Sequence, residues 1–151
     1  MRFLSPYRIA SYLLILFCAG HTWGGMLAQK SLGPQADAVF ASMKAVQFTF
    51  NGSVCTWYGF WLGFGLTVSV FLLFSAFAAW RLDAIEPASW PAVAPIALAL
   101  AASHAANAIL AWKYFFVGPG VLATAVTVLL VVGAWRKQRA TLLRSGAGSA
   151  R

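Results

Sequence analysis

Residues 54–80 read VCTWYGFWLGFGLTVSVFLLFSAFAAW, a stretch without a single charged side chain. A helix needs about 20 predominantly apolar residues to cross about 30 Å of hydrocarbon, and this stretch is long enough. It lacks the polar and apolar alternation of a membrane-spanning β-strand, so a helix is predicted. Three further stretches meet the same criterion: Ile9–Ala28, Pro91–Trp112 and Gly118–Trp135. The sequence therefore predicts an all-α membrane protein, a bundle of four transmembrane helices with up-down topology.

The composition agrees with burial in a bilayer. Hydrophobic residues make up 61% of the 151-residue chain and charged residues 9%, and the mean hydropathy is +0.76. A soluble globular domain carries about 25% charged residues, so this chain could not cover a normal water-facing surface. Its length fits one domain, residues 1–151. Because the cations flank apolar stretches instead of forming a patch on a soluble face, the net charge of +8 does not predict nucleic-acid binding.

The basic residues predict the orientation of the bundle. With the N-terminus inside, eight of them lie on the inner side: Arg2, Arg8, Arg81, Arg136, Lys137, Arg139, Arg144 and Arg151. Three lie outside: Lys30, Lys44 and Lys113. Because basic segments stay on the cytoplasmic side, both termini are expected in the cytoplasm and the protein in a bacterial inner membrane. Residues 136–151 then form a basic cytoplasmic tail, whose Ser-Gly-Ala-Gly-Ser ending is typical of disorder.

The loop from Gln29 to Ser53 is the longest segment outside the predicted spans. Within it, Ala36–Phe48 has helical periodicity, with Val39, Phe40 and Met43 on one face. This pattern predicts a short amphipathic helix on the outer membrane surface, between the first and second spans. The Asn-Gly-Ser sequence at 51–53 indicates a turn.

Small residues predict where helices approach one another closely. The second span carries Gly59-x-x-x-Gly63, a spacing typical of a close helix contact. The third span is rich in alanine along one side, which predicts that it packs deep in the bundle.

No acidic residue falls inside a predicted span, since Asp37, Asp83 and Glu86 all lie in predicted loops. Proton- or sodium-coupled carriers usually hold a carboxylate within the membrane, so such transport is disfavoured. Phosphate loops, Ser-His-Asp sets and zinc signatures are also missing from the sequence. A non-enzymatic role is therefore favoured, and no metal site is predicted.

Two histidines are the strongest candidates for chemistry, because ionisable residues within a membrane often mark functional sites. They occupy matching positions along the first and third spans, which run in the same direction, so similar depth is expected. Polar and aromatic residues near them or near the outer end of the second span complete the group. The candidate ligand-binding residues are His21, Thr22, Trp57, Tyr58, His104 and Asn107.

Three interpretations of this group remain open. The one adopted here is a pocket, open to the outer leaflet, for a lipid, quinone or other small amphiphile. The second is a redox subunit in which His21 and His104 are the axial ligands of a haem or approach a quinone. The third is purely structural: polar side chains join the helices of an accessory subunit without a ligand. Each leaves room for a homo-oligomer or a partner membrane protein.

Several motifs resemble one family. These are Gly20-His21-Thr22, Phe48-x-Phe50-x-Gly52-Ser53, the aromatic and glycine-rich residues 57–65, and the aromatic residues 112–116 followed by Pro119. Over residues 7–135 the chain resembles a family of small bacterial four-helix membrane proteins without an assigned activity. Relatives often carry an acidic residue near the start of the second span, where this chain has Tyr58-Gly59. The resemblance implies the four-helix fold and implies no activity or cofactor.

Overall fold

A computed structural model describes residues 5–28 and 30–149 of the chain. Its elements in order are α1 (Pro6–Ala19), a π-helical segment (Gly20–Leu27), α2 (Pro34–Ala45), β1 (Gln47–Phe50), β2 (Ser53–Thr56), α3 (Trp57–Ala84), a 3₁₀ turn (Pro87–Ser89), α4 (Trp90–Tyr114) and α5 (Val117–Ser149). Four helical stretches are long and apolar enough to cross a membrane: Pro6–Leu27, Trp57–Ala84, Pro87–Tyr114 and Val117–Gly146. The predicted set of four apolar helices is confirmed.

Most boundaries shift by a few residues from the prediction, and two of the differences have a clear local cause. The second apolar helix begins at Trp57 instead of Val54, because residues 54–56 belong to β2. The fourth continues beyond Trp135 to Ser149, so the described part of the basic tail is helical and not disordered. The Arg, Lys, Gln, Ala and Leu residues that follow Trp135 favour helix, which accounts for the extension. Arg2 and Arg151 of the predicted inner set, and Gln29 at the start of the predicted loop, lie outside the described residues.

The helix predicted over Ala36–Phe48 is present as α2, displaced towards the N-terminus. It begins at Pro34, where the missing N–H of proline is tolerated because the first turn leaves such groups unpaired. Gly33 precedes it with a φ of 103°, a conformation that suits glycine. The helix ends at Ala45 because residues 47–50 are extended and paired as β1.

The apolar face predicted for α2 is only partly covered. Phe40 packs edge-on against Trp61 of α3, with ring centroids 5.4 Å apart. Val39 is 60% exposed, and Met43 is half-buried. No side chain of α2 is fully buried, so the helix contacts α3 through exposed or half-buried side chains and keeps an open apolar surface.

A two-stranded antiparallel hairpin adds to the otherwise helical fold. Strands β1 and β2 pair Phe50 with Ser53 across the two-residue turn Asn51-Gly52. The turn residues have φ values of 48° and 82°, the positive values that a type I′ turn requires. Asn-Gly between two apolar runs is a strong short-range hairpin signal, so the sequence contained this element although only a turn was predicted from it.

The described residues divide into two compact units, residues 5–17 with 73–149 and residues 18–72. In the first unit, α4 and α5 form an antiparallel pair joined by hydrogen bonds at both ends. Trp90 Nε1 donates to Gln138 Oε1 at 3.0 Å, and Trp112 Nε1 donates to Thr124 Oγ1 at 3.0 Å. Of the alanines predicted along one side of α4, Ala97, Ala101 and Ala108 are buried and Ala105 is half-buried, and Ala111 extends the buried side.

The start of α1 and the end of α3 pack in the same unit. Ser11 Oγ donates to the backbone carbonyl of Ala76 at 2.9 Å. Tyr7 is buried beside Gly133 of α5, where an added Cβ would lie 2.9 Å from two atoms of the tyrosine ring. Gly133 is therefore the small residue that lets the Tyr7 ring reach α5.

In the second unit, the close contact forms at a different glycine from the one predicted. An added Cβ on Gly65 would meet Met26 of the π-helical segment, within bonding distance of its sulfur. An added Cβ on Gly63 would meet no described atom within 4 Å, and one on Gly59 would meet only Thr56 of its own hairpin. The Gly59-x-x-x-Gly63 prediction is therefore wrong within this unit, because the π-helical segment lies along the face of α3 that carries Gly65.

Candidate functional site

The six candidate residues fall in different units. His21, Thr22, Trp57 and Tyr58 belong to residues 18–72, whereas His104 and Asn107 belong to α4 of the other unit. His104 is 1% exposed on the alanine-lined side of α4, and Asn107, nearly one turn further along, is half-buried. A pocket shared by His21 and His104 stays a prediction.

His21 and Thr22 form hydrogen bonds from the π-helical segment to α3. His21 Nε2 lies 2.9 Å from the carbonyl oxygen of Gly65, and because a carbonyl only accepts, Nε2 donates. Thr22 Oγ1 donates to Ser69 Oγ at 2.7 Å, and the thiol of Cys18 donates to the Ser69 carbonyl at 3.4 Å. These are interhelical bonds of the kind that the structural interpretation describes. Ligation of a haem iron through Nε2 would require the bond to Gly65 to break.

Trp57 and Tyr58 lie apart from this polar group. Gly65 follows Tyr58 by seven residues in α3, a rise of about 10 Å. Tyr58 packs against Trp61 at 5.6 Å between ring centroids, and Lys44 Nζ stands 4.7 Å from the centre of the Tyr58 ring. Trp57 turns instead towards the hairpin, where its ring lies 4.8 Å from that of Phe48. Neither residue lines the cleft described next, although Tyr58 contacts two residues that do, Trp61 and Lys44.

A cleft of about 550 Å³ opens in the second unit, between the π-helical segment, α2 and the start of α3. Its floor includes Gly24 and Gly25, its wall the paired rings of Phe40 and Trp61, and its rim Lys30 and Lys44. We call it the aromatic cleft. The volume lies in the range of small-molecule sites, and an apolar wall with a few charged groups is their usual lining.

The rim of the aromatic cleft carries a net positive charge. Its charged lining residues are two lysines, Lys30 and Lys44, and one carboxylate, Asp37. Asp37 accepts hydrogen bonds from Ser31 Oγ at 2.5 Å and from the Leu32 N–H at 3.1 Å, so the loop before α2 already engages it. The hydrogen bond from Ser31, with that from Leu32, lowers the pKa of Asp37 below its ordinary value of 3.8 and keeps it ionised. Its charge therefore orders the loop before α2, and the rim holds two cations to one anion.

The aromatic cleft lies where two apolar helices end. Gly24 and Gly25 belong to the last turns of the stretch Pro6–Leu27, and Trp61 lies in the second turn of α3. The two lysines lie outside both apolar stretches. An apolar wall that meets a basic rim at this boundary matches the two parts of an amphiphile, an apolar chain and an acidic head group.

Sequence reasoning misplaced one acidic residue. Asp83 belongs to the last turn of α3 and not to a loop, and its carboxylate is engaged from α1. Arg8 Nε donates to Asp83 Oδ2 at 2.7 Å, and Ser5 Oγ donates to Oδ1. The Arg8 guanidinium also stacks 3.4 Å from the centre of the Trp80 ring. The span was predicted to end at Trp80 because the first charge follows there, although the residues beyond it continue the helix.

Lys137 of α5 joins this group at the C-terminus of α3. Its ammonium donates to the backbone carbonyls of Asp83 and Ile85, at 2.7 and 2.5 Å. Carbonyls at the end of a helix have no partner within the helix, and a cation there is favourable. We call Ser5, Arg8, Asp83 and Lys137 the basic clamp. Because each member bonds another helix or its end, the clamp is structural and ties α1, α3 and α5 together.

Comparison with protein-family models, with curated proteins and with solved structures gives no match for this chain. The resemblance to small bacterial four-helix membrane proteins therefore stays a hypothesis based on the sequence motifs. Within residues 5–28 and 30–149, no three His, Cys, Asp or Glu side chains come together as a metal-binding group.

Proposed function

We propose that this chain is a non-enzymatic integral membrane protein whose aromatic cleft binds an anionic amphiphile at the outer surface of a bacterial inner membrane. The observation that carries the proposal is the cleft itself. It joins the apolar wall of Phe40 and Trp61 to the basic rim of Lys30 and Lys44 where two apolar helices end. The acyl chain packs on the aromatic wall, and the acidic head group lies between the lysines.

The surroundings of the cleft favour entry from the bilayer. Leu32 lines the cleft, and Leu27 and Val39 are next to lining residues in the sequence. The side chains of all three are more than half exposed. Large exposed apolar side chains are unfavourable in water but not beside lipid. An amphiphile could therefore move from the membrane into the cleft while its chain stays in apolar surroundings, and only its head group changes partners.

The charge distribution supports placing the cleft outside. Eight basic residues of the sequence fall on the side of the termini, and three fall on the other. The positive-inside tendency then keeps the termini in the cytoplasm, and Lys30 and Lys44 face the outer leaflet. Anionic phospholipid present in that leaflet is within reach of such a rim.

Lipid binding to the purified protein tests the proposal. Native mass spectrometry in mixed micelles would compare phosphatidylglycerol with phosphatidylcholine carrying the same acyl chains. We expect the anionic lipid to bind more tightly, and the double variant Lys30→Gln/Lys44→Gln to lose this preference. A basic residue near an anionic head group contributes about 1 kcal/mol, so two of them correspond to about a 30-fold change in affinity.

Lys113 provides the matched control, because it is the third basic residue on the same predicted side and is not a lining residue of the cleft. Lys113→Gln removes one positive charge from that side and should leave the preference unchanged. Equal binding of the two lipids by the unmodified protein would refute the proposal. The proposal would also be refuted if Lys113→Gln weakened the preference for the anionic lipid as much as Lys30→Gln or Lys44→Gln alone.

A further inference from the structure

The glycines on the floor of the aromatic cleft are not explained by packing. An added Cβ on Gly24 would meet no described atom within 4 Å. One on Gly25 would meet only His21 Nδ1, at an ordinary contact distance of 3.9 Å. Glycine lowers the stability of a helix relative to alanine, so two adjacent glycines here are unfavourable for the helix itself. Their effect is to leave backbone uncovered at the floor, where a bound molecule can approach closely.

His21 is not itself a lining residue of the cleft, but its ring lies next to Gly25, which is, and has a fixed orientation there. Its Nε2 donates to the Gly65 carbonyl, so in the neutral imidazole the proton resides on Nε2 and Nδ1 is an acceptor. Gly25 lines the cleft, and Nδ1 lies on the side of Gly25 where another residue would carry its Cβ. Among the described residues, Nδ1 takes part in no hydrogen bond. The cleft thus has a hydrogen-bond acceptor beside its floor in addition to the cations of its rim.

We infer that the head group bound in the aromatic cleft carries a hydroxyl group that donates a hydrogen bond to His21 Nδ1 across Gly25. This inference rests on the proposed function and specifies its ligand. The phosphate lies between Lys30 and Lys44, the acyl chain on the aromatic wall, and the hydroxyl at the floor. The chemical class is an anionic phospholipid with a hydroxylated head group. An anionic lipid without the hydroxyl can still pair with the lysines of the rim, but it offers no hydrogen-bond donor to Nδ1.

Two lipids of equal charge test this inference. Phosphatidylglycerol and phosphatidylpropanol with identical acyl chains are both phosphodiesters, and only the first has hydroxyl groups in its head group. We expect the protein to bind phosphatidylglycerol about fivefold more tightly, the effect of one neutral hydrogen bond. Phosphatidylcholine, measured in the same micelles, gives the reference for binding without net charge.

The variant His21→Leu removes both ring nitrogens. It breaks the hydrogen bond to the Gly65 carbonyl and leaves no acceptor at the position of Nδ1. We expect it to bind phosphatidylpropanol as the unmodified protein does and to lose the preference for phosphatidylglycerol. A residue with only a structural role would leave the ratio of the two affinities unchanged, so this ratio distinguishes the two roles.

Gly25→Leu is a second variant that keeps His21 and covers Nδ1 with a side chain. Its matched control is Gly63→Leu, at a helical glycine with open space that does not line the cleft. The preference for the hydroxylated lipid should disappear in Gly25→Leu and persist in Gly63→Leu. If His21→Leu does not fold, this pair decides the question.

The outcomes separate the inference from the proposed function. If both anionic lipids bind equally and more tightly than phosphatidylcholine, the hydroxyl contact is refuted and the anionic site stands. If neither exceeds phosphatidylcholine, the proposed function fails. A preference for phosphatidylglycerol that survives in folded His21→Leu or in Gly25→Leu would overturn the assignment of Nδ1 as the acceptor.

Discussion

Arg8 and Asp83 form an ion pair 2.7 Å long between the first turn of α1 and the last turn of α3. The Asp83 side chain is 9% exposed and that of Arg8 18%, so solvent screens the pair only weakly. The Trp80 ring covers the guanidinium, and Ser5 supplies a second hydrogen bond to the carboxylate. The pair therefore has the partners that a nearly buried charge requires, and either residue without the other would leave an unpaired charge.

Removal of the carboxylate should destabilise the fold. We expect Asp83→Ala to lower the free energy of unfolding by about 3 kcal/mol, since it leaves Arg8 without its anionic partner. Arg8→Ala should lower the free energy of unfolding by a similar amount. The double variant should lower it by less than the sum of the two single effects. Unfolding by SDS titration in micelles would measure this. Additive effects would show that the two residues do not interact, and exposed Asp37→Ala serves as the control with little effect on global stability.

Gly133 and Gly63 should respond in opposite ways to substitution by alanine. A Cβ on Gly133 would lie 2.9 Å from the ring of Tyr7, which is buried and cannot move away freely. We expect Gly133→Ala to cost about 2 kcal/mol, the usual effect of overpacking. Gly63→Ala adds a methyl group in open space and should be neutral or stabilising, because alanine favours helix. Equal effects in the same SDS titration would contradict the close packing at Gly133.

The four apolar helices could be predicted because their signal is strong and local. Each is a long run of apolar residues, and no distant residue has to be known to recognise it. Their ends are harder to predict. Thr56 ends β2 and Trp57 begins α3 within one largely apolar stretch, because Asn51-Gly52 turns the chain back on itself. Asp83 was assigned to a loop because a charge resembles the end of a span, whereas Arg8 makes that charge acceptable within the helix.

The candidate site could be predicted only in part. His21 and Tyr58 are recognisable as polar or aromatic residues near the ends of spans, and both lie in the second unit. The aromatic cleft depends on the return of the loop, which brings Lys30 and Lys44 to one rim although fourteen positions separate them in sequence. No local pattern encodes that proximity. Nor does the sequence reveal which nitrogen of His21 bonds to α3, since this depends on the π-helical geometry of residues 20–27.

The orientation of the protein gives a further prediction. Alkaline phosphatase is active only outside the cytoplasm, so its activity reports the side of a fusion point. We expect a fusion after Lys44 to be active and one after Arg139 to be inactive, because the predicted up-down topology puts eight of the eleven basic residues on the side of the termini. A fusion after Lys113 should be active as well. The reverse pattern would place the aromatic cleft at the inner leaflet and would overturn the outer-surface part of the proposed function.

Acid should loosen the loop that borders the aromatic cleft. Hydrogen bonds from Ser31 and from the Leu32 N–H lower the pKa of Asp37 in the folded protein below 3.8. A carboxyl with a lowered pKa contributes stability that is complete above its unfolded value and is lost as the pH falls through the folded value. The loop should therefore be unchanged from neutral pH to about pH 5. It should open below pH 3.8, as the carboxylate takes up a proton.

The amide chemical shift of Leu32 in micelles reports this change directly, because its N–H donates to Asp37. We expect the shift to move with a midpoint below pH 3.8 and to be flat over the same range in Asp37→Asn, which has no group to titrate. Gly33 adopts a positive φ between Leu32 and α2, so its amide signal should follow the same transition. A Leu32 shift that does not change down to pH 2, or one that titrates equally in Asp37→Asn, would mean that this carboxylate does not hold the loop.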